Sequence, residues 1–167
     1  MKVPFVAVLV GSDSDLPVME STLEVLRRLG IRVEARIASA HRTPVETRAY
    51  VQQAEERGAA VFVAAAGLAA HLAGAVAALT VKPVIGVPMA GGPLNGLDAL
   101  LSTVQMPGGV PVACVAIGPA GAKNAGYLAA EILALQDPEI AERLRAERSA
   151  TADAIRHKNL ALTKRAG

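Results

Sequence analysis

Two uninterrupted apolar runs, Phe5–Val10 and Ala59–Ala66, place the strongest constraint on how this chain can fold. Each run is closed by a glycine, Gly11 or Gly67, and neither alternates polar with apolar side chains. Each therefore reads as a strand buried on both faces, which requires helices above and below it. Residues 31–37 behave differently. Ile31, Val33, Ala35 and Ile37 alternate with polar residues, the period of a strand with one less buried face, as at a sheet edge. Residues 84–87 and 110–117 supply a fourth and a fifth strand.

The segments between the strands carry helix signals. Met19, Leu23 and Leu26 recur at helical spacing after Pro17, and Gly30 stops that helix. Thr43, Pro44 and Glu46 read as a capping box with proline at the first helical position, opening a helix that runs to about Arg57 before Gly58. A short helix of small residues follows His71 through Leu79, and another ends near Gln105. An alanine-rich helix extends to about Leu135, and Asp137-Pro138 starts a last, charged helix. Five strand–helix repeats imply an α/β fold: an open, doubly wound parallel sheet in a three-layer α/β/α sandwich. With the alternating second strand at an edge, the flavodoxin-like order 2-1-3-4-5 fits, with an added C-terminal helix. The 167 residues read as one catalytic domain, residues 1–167, with a core over about 5–135 and a helical extension over about 137–165. The extension is expected to lie over a neighbouring subunit or to fray.

Composition narrows the functional classes. A net charge of +2 and 2% aromatic residues leave few of the stacking platforms used by nucleic-acid binders, so no nucleic-acid partner is expected. No apolar stretch reaches the roughly 18–20 residues that span a bilayer, so no membrane partner is expected. Met1-Lys2-Val3-Pro4 leads directly into a short strand with no secretory h-region, which gives a cytoplasmic expectation. The 52% hydrophobic content exceeds what an average domain needs and suits subunit contacts. Cys114 is the one cysteine and reads as a small buried hydrophobe.

In an open parallel sheet, ligands bind beyond the carboxyl ends of the strands where the winding reverses. Three polar turns share that rim: residues 11–15, 39–43 and 67–71. In the first, Ser12 and Ser14 offer hydroxyls beside a helix start, where a phosphate can sit. Ser14 or Asp15 can equally be a plain N-cap there. Two aspartates near a phosphate are unfavourable unless one turns elsewhere, and Asp15 can accept from ribose hydroxyls while Arg42 supplies the compensating charge. In the second turn, Ser39-Ala40-His41-Arg42-Thr43-Pro44 sets an imidazole beside a guanidinium at a helix N-terminus, which favours an anion. Histidine gives and takes protons near neutrality, so His41 is the candidate acid–base group. His71 lies on the same rim, and His157 reads as a surface residue. No carboxylate or cysteine completes a metal-ligand spacing with His41 and His71, so no metal is expected. The residues alone thus point to a phosphorylated metabolite handled by acid–base chemistry, without naming the reaction.

These same motifs, residues 11–15, 39–44 and Ala69-Ala70-His71-Leu72, with Gly96-Leu97-Asp98, Val104-Gln105-Met106-Pro107 and Ala116-Ile117-Gly118, resemble the N5-carboxyaminoimidazole ribonucleotide mutases of de novo purine (IMP) synthesis. The resemblance covers roughly residues 5–135. It implies a flavodoxin-like homo-octamer that uses no cofactor and moves a carboxylate from the exocyclic nitrogen of N5-carboxyaminoimidazole ribonucleotide (N5-CAIR) to ring carbon 4, giving CAIR. It implies a functional link to the ATP-dependent synthetase that makes N5-CAIR. By the same resemblance, His41 and His71 are catalytic, with His41 as general acid and then base. Ser12, Ser14 and Arg42 hold the phosphate end, Asp15 the ribose, and Ser39, Gly67 and Leu72 complete the substrate site.

Three features depart from the family pattern: Leu68 stands where a second glycine is usual, Ala73 where proline is usual, and residues 89–95 lack the usual Gln-Ser character. A carboxylase of the same fold, using free carbon dioxide, is the alternative enzyme; His71 favours the mutase. A flavodoxin or receiver-type module fits poorly. The chain has two Phe, two Tyr and no Trp to sandwich a flavin, and Gly118-Pro119 stands where a receiver needs lysine.

Overall fold

The computed structural model describes residues 3–166, with side chains described through Leu162. Five parallel strands form one sheet in the order β2-β1-β3-β4-β5: β1 (Phe5–Val10), β2 (Arg32–Ile37), β3 (Ala59–Ala66), β4 (Val84–Pro88) and β5 (Ala113–Cys114). The helices are α1 (Leu16–Arg28), α2 (Pro44–Arg57), α3 (Leu72–Ala77), α4 (Leu97–Val104), α5 (Pro119–Ala134) and α6 (Pro138–Ala166). Winding starts at β1, passes to the β2 edge, then crosses back through β3, so the switch point lies between β1 and β3, as expected.

Alternate side chains of the two central strands feed two separate cores. Val6, Val8, Val10, Val61, Val63 and Ala65 pack with α1 and α5, whereas Phe5, Ala7, Leu9, Phe62 and Ala64 pack with α2 and α3. Gly86 lets α4 approach β4: a Cβ there would collide with the Thr103 methyl and lie 2.9 Å from Val112. The edge strand β2 buries no side chain fully, in keeping with its alternating sequence.

Three sequence expectations need correction. The fifth strand is two residues long instead of eight, because Pro111 has no N–H and the partner ladder on β4 ends at Gly86↔Cys114. Thr43 is the N-cap of α2 but forms no capping box: its Oγ1 accepts from the Ser39 amide at 3.1 Å and donates to the Ser39 carbonyl at 3.2 Å. The first half of α6 neither frays nor waits for a neighbour. Ile140 and Leu144 are buried in the α1–α5 core, and Arg143 donates to the Leu29 carbonyl at 2.7 Å. Asp137 caps this helix by accepting from the amides of Glu139 and Ile140. Cys114 is half-buried, and that burial pushes its thiol up.

Candidate active site

The strands end level with one another. Val10 pairs with Ile37 on one side and Ala65 on the other, and Ala66 pairs with Pro88, so the turns after β1, β2, β3 and β4 surround a single cavity. It holds about 580 Å³, the size range of small-ligand sites. Its lining includes Ser12, Ser14, Asp15, Ser39, His41, Arg42, Gly67, His71 and Leu72, every site residue expected from the sequence.

The turn after β1 is closed by its own polar groups. Ser12 Oγ and the Ser14 amide both donate to Asp13 Oδ1 at 3.0 Å, and Ser14 Oγ lies 3.0 Å from Ser12 Oγ. Asp13 therefore faces back into the turn, which removes one of the two carboxylates from competition with a bound anion. Asp15 remains toward the cavity. Burial, first, and the nearby Asp13 charge push its carboxyl up, partly offset by a backbone hydrogen bond to Ser12.

The turn after β2 is wound around Ser39. Its Oγ accepts from the Arg42 amide at 3.1 Å, and its carbonyl accepts from the Thr43 amide at 3.0 Å. These bonds use two amides that the sequence left available for an anion at the α2 N-terminus. The Arg42 side chain lines the cavity beside them. Its Nη2 donates to the Gly11 carbonyl at 3.2 Å, which draws the guanidinium against the serine turn.

The two histidines meet. His41 Nε2 and His71 Nδ1 are 2.8 Å apart, with the rings nearly perpendicular at 83°. One nitrogen must carry the shared proton and the other accept it. The pair can thus hold one proton between two bases at the cavity wall. Leu72 is buried and belongs to the α2–α3 core, so its contact with the cavity is as packed apolar wall. Among the described residues, no group of three or more His, Cys, Asp or Glu is placed to hold a metal ion.

Sequence reasoning did not place residues after β4 at the site. Met89, Ala90, Gly91 and Gly92 also line the cavity, and with Gly67 and Leu68 they add apolar surface to it. The signal available was positional: a long Gly/Pro loop at the carboxyl end of a strand next to the switch point.

The model of the family described as AIR carboxylase matches residues 5–154. This chain belongs to the AIR carboxylase family. Within it, the chain is 57% identical over 142 residues to the N5-carboxyaminoimidazole ribonucleotide mutase of Thermotoga maritima, covering 85% of this chain and 82% of that protein. The mutase of Mycobacterium tuberculosis is 50% identical over 164 residues, covering 98% and 93%. The solved structure of Treponema denticola PurE superposes with a TM-score of 0.86 at 30% identity, covering 95% of this chain and 98% of that one. That superposition agrees with the sheet order described above.

Proposed function

We propose that this chain is an isomerase of purine biosynthesis that converts N5-CAIR to CAIR by moving a carboxylate from the exocyclic nitrogen to ring carbon 4. The names of its relatives support the reaction, and the observation that carries the mechanism is the 2.8 Å contact between His41 and His71 inside the cavity. With Nε2 of His41 engaged by His71, Nδ1 is the nitrogen left for the substrate. Protonated His41 gives a proton from Nδ1 to the exocyclic nitrogen as its bond to the carboxylate breaks, and that bond's electron pair stays on nitrogen. Carbon dioxide is released within the site. Ring carbon 4 then attacks it, and His41 Nδ1 takes the ring proton, which restores the starting state. One proton leaves His41 and one returns, so the net change is an isomerisation.

Ser12, Ser14 and Arg42 hold the phosphate end, and Asp15 accepts from the ribose hydroxyls. Ser39 fixes the turn that carries His41 and Arg42, while the Gly67 backbone and Leu72 bound the cavity near the carboxylate. In this reading no cofactor takes part and the chain acts as one catalytic domain, assembled as a homo-octamer in the cytoplasm. Its substrate arrives from an ATP-dependent N5-CAIR synthetase, because an N-carboxylated amine is a high-energy carbamate that another enzyme must make.

The test offers the purified protein two inputs separately: N5-CAIR, and the unsubstituted nucleotide with bicarbonate. Turnover of N5-CAIR at low bicarbonate is expected. Turnover of only the second input would reassign the chain as the carboxylase.

A further inference from the structure

Leu68 sits in a backbone conformation that leucine rarely adopts. Its φ is +54°, in the left-handed region, where a Cβ meets the following carbonyl and a non-glycine residue is strained. It is also 54% exposed, so packing into a core does not offset that strain. Its side chain meets the loop after β4, which lines the same cavity. A Cβ built on Gly92 would stand 2.5 Å from Leu68 Cδ2, so Leu68 rests directly on the backbone of Gly92. Gly92 itself has a φ of +64°, and glycine there serves both the turn and this close approach.

The cavity is divided in character. Ser12, Ser14, Asp15 and Arg42 supply polar groups to its lining, and Gly67, Leu68, Met89, Ala90, Gly91 and Gly92 supply apolar surface. We propose that Leu68, seated on Gly92, is a retaining wall of the apolar lining and holds carbon dioxide at the site between its release and its recapture. The inference rests on the mutase reading above. Carbon dioxide is neutral, has no hydrogen to donate and is weakly held by polar groups, so shape and exclusion of water must keep it. A half-exposed leucine bridging two turns supplies both, at the expense of backbone strain that a glycine would avoid.

The experiment follows the origin of the product carboxylate. N5-CAIR is turned over in buffer containing ¹³C-bicarbonate and carbonic anhydrase, and early product is analysed by mass spectrometry. The wild type is expected to give mostly unlabelled CAIR. Leu68→Gly relaxes the strain but opens the wall, and Leu68→Asn keeps a residue tolerant of positive φ while removing the apolar cover. Both are expected to raise the labelled fraction several-fold. A purely structural Leu68 would change turnover or Tm and leave the labelled fraction at the wild-type level in both variants, which would overturn the inference while sparing the mutase reading. Wild-type protein that does not consume N5-CAIR would overturn that reading and the inference together.

Discussion

His41 and Asp15 make opposite demands on the same cavity. In the proposed mechanism His41 needs a partner that keeps its ring oriented without fixing its proton, and the 2.8 Å contact with His71 would serve as one. His41→Asn should fold and bind nucleotide while kcat falls about 10²–10⁴-fold, the usual worth of a positioned acid–base group. Single-turnover assays with a parallel binding titration check this, and near-normal turnover would remove His41 from the mechanism. Asp15 is different, because burial holds its carboxyl above the usual range. A folded-state value above the unfolded one means that ionising Asp15 weakens the fold as pH rises through that interval, and the penalty is fully present above the folded-state value. Asp15→Asn should therefore leave Tm equal or higher at pH 7 while kcat/KM falls about 10–100-fold, as expected for lost hydrogen bonds to a charged group. A fall in both quantities would make Asp15 a structural residue.

At the scale of elements, α6 is tied down by more than apolar packing. Glu147 Oε1 accepts from Arg28 Nε on α1 at 2.5 Å, and Tyr127 of α5 donates to Glu147 Oε2 at 2.8 Å. The Arg28 hydrogen bond is the main reason that the Glu147 carboxyl lies below its ordinary range, with smaller contributions from Tyr127 and Lys123 of α5 and an opposing one from burial. Stability from this group is present above the unfolded carboxylate value and lost as pH falls through the lower folded value. Because the Arg28 side chain is half-exposed, solvent screening limits the expected loss in Glu147→Gln to about 1 kcal/mol at pH 7. The Tm difference from wild type should close as the pH falls below the carboxylate range; a constant difference would point to packing alone. The latch also shows what was legible from sequence. The apolar runs of β1 and β3 located the central strands because burial on both faces leaves a continuous signature. The polar residues on the docked half of α6 concealed its anchoring, because their partners lie on other elements. The His41–His71 contact was hidden for the same reason, as it joins turns 30 residues apart. The 110–117 run marked the fifth strand's place, but Pro111 limited its ladder.

For the whole molecule, the excess of apolar residues has a location. Leu97, Leu101 and Val104 recur at spacings of four and three along α4 and are each about half exposed, with Leu94 just ahead of them, also about half exposed. A continuous stripe of this kind is costly to leave in water and is a typical feature of subunit contacts. The opposite face of α4 is already used: Ala99 and Thr103 are buried against the sheet. The homo-octamer reading therefore predicts that a second copy covers the outer stripe. Leu101→Glu puts a charge at its centre without disturbing Ala99 or Thr103, so each subunit should keep its fold, with an unchanged circular-dichroism spectrum. Burial of an unpaired carboxylate at a contact is strongly unfavourable, and the variant should sediment as a smaller species than wild type. An unaltered sedimentation coefficient would show that the stripe remains open in the assembled molecule. The octamer would then have to be held by other surfaces, among them the exposed Ile155 and Leu160 on the far half of α6.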